Sequence, residues 1–426
     1  MLAYLEASPS PYHAVAASAE LLASVGALEL SEADAWPAGP GAFFLRRGGA
    51  LVAWLVPEGV RAVDGFRVVA AHTDSPNLRL RPRPELGREG LRQLAVEPYG
   101  GVLRNSWLGR DLGVSGRLAL RRGGPEVLVR LDEPVCHLAQ LAIHLDREVN
   151  ERGLVLNPQG QLDPIMGLDE AGPGEVVSGE VVALLAARAG VDAAEVVAFD
   201  LMLHDLNPPR LVGPAGQLFA SGRLDNLCSA YLATAALASL AGGTTRASDA
   251  PMVAVAVLFD HEEVGSTSAE GAQGTLLSSV LERVVLGLGG GREELFRALA
   301  RTVVASLDMT HATHPNYPER HDPAHPVRLG GGPVVKVNAD RRYATDPAGI
   351  ATFAAACAAA GVPLQTFVNR ADLPCGSTVG PFLAARLGVT TVDVGLGQLA
   401  MHAARELAGA ADPPMMAAAL GAFLAP

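Results

Sequence analysis

Lysine is almost missing from this sequence. Of 33 basic residues only Lys336 is lysine. A genome biased towards GC-rich codons replaces lysine with arginine wherever either serves, so the survivor marks either chance or a site that a guanidinium does not fit. Composition alone leaves those two readings about even. Cysteine is also scarce. Cys136, Cys228, Cys357 and Cys375 lie far apart and form no CxxC pair, which argues against a disulfide framework or a cysteine zinc site and for reduced, mostly buried thiols. Positive charge is in deficit, with a formal net charge of -12. That excess opposes binding to phosphate backbones, so no nucleic-acid partner is expected. Apolar stretches such as Val181 to Ala187 are too short to cross a bilayer, and no membrane partner is expected. The N-terminus shows no basic segment followed by an apolar core, so a cytoplasmic protein without a signal peptide is expected.

What is present reads as a globular protein. The 426 residues are 49% hydrophobic and 18% charged, enough for two or three domains with a large core. The pattern is mixed α/β. Spaced apolar positions predict a helix over 12–26, opened by Ser8, Pro9, Ser10 and Pro11. Strands are expected around Phe43–Val56 and Phe66–Ala71, after which Pro76, Pro82 and Pro84 should break regular structure. Short β-like runs and glycine turns then fill residues 80 to about 215, with one helical segment near Val181–Ala189. Continuous apolar runs at Pro251–Phe259, Thr302–Leu307, Pro333–Val337 and Thr390–Val394 suit strands buried on both faces, and they alternate with helices such as Pro347–Ala360. The expected architecture is a three-layer α/β/α domain with a central mixed sheet, residues 1–80 and 215–426, interrupted by an inserted β-rich domain at 81–214.

Polar residues gather where these strands end. His72-x-Asp74 closes one strand and Asp260-His-Glu-Glu263 another. Asp308 closes a third, His402 follows the strand 390–394, and Asp225 opens a helix. Taken singly, each has an ordinary explanation: a helix cap, a hydrogen-bonded histidine, a solvated acidic turn. Together they converge on the carboxyl edge of one sheet, where ligands bind in α/β folds. Two imidazoles and three carboxylates suit two divalent metals, with zinc as the expected ion and one carboxylate as the bridge. Asp74 is placed to accept the second ring N–H of His72. On an extended segment Glu262 and Glu263 point to opposite sides, so one can bind metal while the other serves as general base.

At this point the chain resembles a known family, the aspartyl aminopeptidases, across nearly its whole length. The resemblance rests on Ser8-Pro-Ser-Pro-Tyr-His13, His72-Thr-Asp-Ser-Pro76, Glu97-Pro-Tyr-Gly-Gly101, Arg223-Leu-Asp-Asn-Leu227 and Asp260-His-Glu-Glu-Val-Gly-Ser266. It continues through Asp308-Met-Thr-His311, His314-Pro-Asn-Tyr317, Lys336-Val-Asn-Ala-Asp-Arg-Arg-Tyr343, Cys375-Gly-Ser-Thr378 and Met401-His402. It implies a dinuclear zinc exopeptidase that removes N-terminal Asp or Glu from peptides. It makes Asp225 the bridge, puts Glu263 and His402 on one metal and His72 and Asp308 on the other, and leaves Glu262 as the general base. Its substrate pocket falls on Lys336, Tyr343, His311 and Met401. Its inserted domain mediates dimer contacts, six dimers build a tetrahedral dodecamer, and a histidine matching His144 reaches a neighbour's site. The chain departs from the family at Gly397, commonly proline, which could loosen the loop before His402. It departs again at Gly109, often acidic. A related aminopeptidase preferring neutral residues, a catalytically silent binding or packaging member, and a metal-dependent deacetylase or carboxypeptidase are the competing readings.

Overall fold

Four parallel strands form the centre of the molecule, in the spatial order Val253–Phe259, Phe66–His72, Val303–Leu307 and Thr390–Gly395. The computed structural model describes residues 1–121, 123–124, 126–169, 179–243 and 251–425. Five further strands extend the four into a nine-stranded mixed sheet. Ala50–Val56, Gly41–Arg47 and Leu28–Glu29 lie on one side, and Val334–Val337 with Gln365–Val368 on the other. Every residue of Val253–Phe259 is buried, because helices cover both faces. Leu2–Ala7, Pro11–Ser24, Leu224–Ala241, Pro347–Ala360 and Asp412–Leu424 pack on one face. Leu276–Gly287, Arg292–Leu299 and Gly380–Leu387 pack on the other. This is the three-layer α/β/α arrangement expected from the apolar runs.

Element ends moved by one or two residues. The first long helix is Pro11–Ser24, with Pro11 in its first turn and the Ser10 hydroxyl accepting the His13 N–H. The strands expected from Pro251, Thr302 and Pro333 begin at Val253, Val303 and Val334. Pro82 and Pro84 do not break regular structure. They lie inside the strand Asn77–Arg88, where the pairing register shifts between Leu80 and Glu85, so the missing N–H groups interrupt no ladder. One apolar helix, Leu224–Ala241, does have the length and composition to span a bilayer, but 72% of it is buried inside this fold.

Between the central-sheet strands Phe66–His72 and Val253–Phe259 the chain forms a closed antiparallel barrel. Its strands are Val196–Asp205, Asn77–Arg88, Leu91–Tyr99, Ile165–Leu168, Val127–His137 and Asp111–Leu120. The helix Glu180–Arg188 closes its core with Val181, Leu185 and Ala186, and Ala404 enters the same core from the distant C-terminal segment. A five-stranded sheet joins the two bodies. It contains Arg210–Val212, Leu218–Ser221, Glu406–Gly409, Gly397–Leu399 and Thr310–His311.

Candidate metal centre and substrate cavity

The carboxyl ends of the parallel strands bring the five sequence candidates for metal ligation together. His72 is the last residue of its strand, Asp308 follows Leu307, and the helix carrying Asp225 starts beside them. His72 Nε2 faces Asp225 Oδ1 at 3.6 Å, Asp308 Oδ1 at 3.8 Å and Glu262 Oε2 at 3.9 Å. On the other side of Asp225, His402 Nε2 lies 3.4 Å from Asp225 Oδ2 and 3.4 Å from Glu263 Oε1. The two oxygens of Asp225 thus face two separate donor groups. The separations of 3.4–3.6 Å to Asp225 and Glu263 match donor atoms about 3.3–3.6 Å apart, the edge of a tetrahedron with about 2.0–2.2 Å zinc–ligand bonds, and the 3.8 Å from His72 to Asp308 is slightly wider. Asp225 Oδ1 and Glu263 Oε1 are buried without a hydrogen-bond partner, a state that a cation would satisfy. His72, Asp225 and Asp308 could hold one ion, and Asp225, Glu263 and His402 another.

The electrostatics carry the same requirement. Burial, then the Asp308 charge, raises the Asp225 carboxyl. Burial, then the Asp225 charge, pushes Glu263 well above the usual carboxylate range. Burial lifts Glu262 to about 8, with Asp308, Asp74 and Asp225 adding to it against His72. Burial also disfavours charged imidazoles, yet Asp308 and Asp74 outweigh it at His72, and Asp225 with Glu263 raises His402 to about 10. Asp308 goes down instead, because Lys336 and His72 overcome its burial. So much crowded negative charge needs positive charge at its centre.

Asp74 does more than orient His72. The Nδ1 of His72 lies 2.9 Å from the backbone carbonyl of Asp74 and 3.3 Å from its carboxylate. That carboxylate accepts the backbone N–H groups of Glu262 and Glu263, each at 3.1 Å, and the Tyr99 hydroxyl at 2.7 Å. The two glutamates are therefore not on an extended segment. They occupy a 3-10 turn, Glu262–Val264, entered through a left-handed His261 and left through Gly265. The Asp74 carboxylate pins this turn through both backbone N–H groups.

The barrel supplies one wall. Gly100, with φ +69°, sits where a Cβ would come within 2.9 Å of the Glu263 Cβ, and a Cβ on Gly101 would meet His402 Nδ1 at 3.0 Å. Only glycine permits this approach. The Gly101 carbonyl lies 3.1 Å from His402 Nδ1, the Leu103 N–H donates to the His402 carbonyl, and the Ala404 N–H donates to Ser106 Oγ. Gly397 leaves no open loop before His402, for it is buried in the paired strand Gly397–Leu399. Gly395 is also demanded by space, because a Cβ there would come within 2.0 Å of the Asp308 carbonyl.

A cavity of about 480 Å³ opens over the cluster, lined by the five candidates, Glu262, Met309, His311, Lys336, Tyr343, Gly376, Ser377 and Met401. Lys336 is 3% exposed. Its Nζ stands 3.7 Å from Asp308 Oδ2 and 5.4 Å from the centre of the Tyr343 ring, not against Asp340 or Asp346, the structural acids that offered an alternative. Asp346 caps a helix through the Gly349 N–H. His144 lies elsewhere, on the exposed turn Ile143–Leu145 of the inserted segment, and does not line its own chain's cavity.

Sequence reasoning missed four contributors. Glu406, 2% exposed, accepts the backbone N–H groups of both Asp225 and His402. Asp393 accepts the Ala344 N–H and the Thr378 hydroxyl, tying together the two loops that carry Tyr343 and Ser377. Gly376 and Ser377 form part of the cavity wall. The Cys375-Gly-Ser-Thr378 motif signalled the last two, whereas Glu406 stands alone in an ordinary stretch.

Comparison with known proteins places this geometry. Residues 4–424 match the family model described as aminopeptidase I zinc metalloprotease (M18). A probable M18 family aminopeptidase 2 of Streptomyces coelicolor is 52% identical over 426 residues, covering 100% of this chain and 97% of that protein. Among solved structures, the Ape4 chain of an Ape4–Nbr1 complex superposes with a TM-score of 0.93 at 36% identity, over 99% of this chain and 84% of that one. The S. cerevisiae mApe1 dodecamer gives 0.84 at 28% identity, over 99% and 94%.

Proposed function

The chain belongs to the aminopeptidase I zinc metalloprotease (M18) family and is a zinc aminopeptidase, and from that premise we propose that it removes N-terminal Asp and Glu from peptides with two bridged metal ions. The observation that carries the acidic preference is Lys336. The sole lysine of the chain is buried in the cavity wall beside the donor cluster. Its ammonium has Asp308 at 3.7 Å on one side and open cavity on the other, and the side-chain carboxylate of an acidic first residue can be its second anion. Tyr343, His311 and Met401 flank that space.

Asp225 would be shared between the two ions, with His72 and Asp308 holding one and Glu263 and His402 the other. The unpartnered Asp225 and Glu263 oxygens and the spacing of the donor atoms support this assignment. When bound, the ions supply Lewis acidity for the scissile carbonyl and lower the pKa of the attacking water. Glu262 takes the proton of that water and passes it to the leaving amine. Asp74 holds Glu262 in place through its backbone N–H. The buried walls of the site keep these charges strong by excluding bulk water.

The segment 81–214 serves as a dimerisation domain in this reading, and the chain assembles into a homo-dodecamer. The yeast neighbour was solved as a dodecamer. Exposed Leu141, Ile143, Leu145 and Val155 surround His144 on the inserted segment, a patch suited to burial against a second copy. His144 then reaches a neighbour's cavity. Four unpaired cysteines, three of them buried, suit a reducing cytoplasm.

The test is a panel of peptides differing only in the first residue, hydrolysed with and without chelator. The expected outcome is at least about tenfold higher kcat/KM for Asp and Glu than for Leu, with all activity lost to chelator. Equal rates on Asp and Leu would contradict the acidic preference, and activity that survives chelation would contradict metal dependence.

A further inference from the structure

Two backbone segments that carry donor residues meet at one buried side chain. Glu406 opens the strand Glu406–Gly409, which pairs with Leu218–Ser221 and Gly397–Leu399. Its Oε2 accepts the Asp225 N–H at 3.1 Å. Its Oε1 accepts the His402 N–H at 2.9 Å and the Gln398 side-chain amide at 3.3 Å. Both segments adopt costly backbone conformations. Arg223, two residues before Asp225, has φ +60°, Ala400 has φ +58° and His402 has φ +67°. A non-glycine residue in the left-handed region persists only where its surroundings impose it. A carboxylate bonded to both N–H groups is such a constraint, and its bonds to them are charge-assisted.

From this geometry we infer that Glu406 is a positioning residue that sets the distance between Asp225 and His402 and so forms the cation position shared by Asp225, Glu263 and His402. The inference rests on the two-ion reading above. Glu406 points at backbone rather than into the cavity, and it touches neither substrate nor the donor atoms. The His72 side has its own supports. His72 is held by the Asp74 carbonyl, and Asp225 is also held by Ser75, whose hydroxyl donates to the Asp225 carbonyl at 2.5 Å. Loss of Glu406 therefore falls on the His402 side.

Glutamine in place of Glu406 keeps the shape but turns an N–H donor towards one of the two N–H groups. The test is zinc titration of chelator-stripped protein by calorimetry, repeated with cobalt to follow the visible absorption of each added equivalent. The wild type should take up two ions per chain. Glu406→Gln should keep the tighter equivalent and weaken the other about tenfold to a hundredfold, the range seen when a hydrogen-bond partner of a metal ligand is lost. His402→Ala should lose the same equivalent, and the double variant should lose no more than His402→Ala alone. Two ions bound by Glu406→Gln with wild-type affinities would overturn the inference, as would equal weakening of both, which a merely structural role would give. A wild type that binds a single ion would overturn the two-ion reading and this inference with it.

Discussion

His72 and Asp308 stand at the ends of strands in the core of the central sheet, whereas His402 stands on a connecting segment bonded to the inserted barrel. The exposures follow that difference. The His72 side chain is 1% exposed and the His402 side chain 30%. One side of the proposed metal centre is thus a product of the sheet, fixed by the same packing that buries Val68 to Ala71. The other side is assembled from parts distant in the chain: Gly100 and Gly101 from the barrel's rim, Ser106 beyond it, and Glu406 behind. A donor group built on strand ends is rigid because its backbone is already paired. A donor group built on loops needs added anchors, and here they are the glycines, Glu406 and a seat for Ala404 in the barrel core. The barrel therefore helps to build the proposed metal centre as well as lying beside it.

Glu262 tests whether the chemistry is separate from both sides. Glu262→Gln should lower kcat by about 10²–10⁴, the contribution of a positioned general base, while zinc content measured by elemental analysis stays at the wild-type value. Loss of zinc together with activity would mean that Glu262 is a ligand and that the roles of Glu262 and Glu263 are reversed. The next contrast compares the two histidines. His72→Ala leaves buried carboxylates without a partner and should destabilise the protein by about 3 kcal/mol. His402→Ala removes a partly exposed side chain and should cost about 1 kcal/mol. Thermal unfolding in the presence of zinc reads the difference, and equal losses would erase the distinction between sheet-built and loop-built sides. The most local effect is expected from Gly100→Ala. A left-handed alanine costs about 1–2 kcal/mol, and its Cβ presses on Glu263. Zinc affinity should fall at one equivalent only, while far-ultraviolet circular dichroism stays unchanged.

The sheet-built side was legible in the sequence, since long apolar runs ending in His72 or Asp308 announce buried strands with polar tips. The loop-built side was legible only through its motifs. Nothing in the period of the sequence places Gly100 against Glu263, because that contact joins the barrel to a turn far along the chain. Glu406 could not be found at all from pattern: a single acid before Leu407 and Ala408 looks like a surface residue, and only the fold shows it buried between two backbone N–H groups. The prolines at 82 and 84 misled for a related reason. A shift in strand register is invisible to local propensity, and it is what lets Asn77–Arg88 continue through them. Glu262 and Glu263 lie on a turn pinned by Asp74 and not on an extended segment, so strand alternation does not set their directions.

Lys336 lies on the sheet-built side, beside Asp308, and the proposed preference for acidic residues depends on it. The most direct measurement is the ratio of kcat/KM for N-terminal Asp over N-terminal Leu in the wild type and in Lys336→Ala, with zinc content checked in both. The expected result is a ratio that falls by about 10²–10³, the cost of leaving a buried carboxylate unpaired, with hydrolysis of the Leu peptide changed by less than about tenfold. An unchanged ratio, with both substrates slowed equally, would contradict the role given to Lys336 and leave the enzyme an aminopeptidase without an acidic preference.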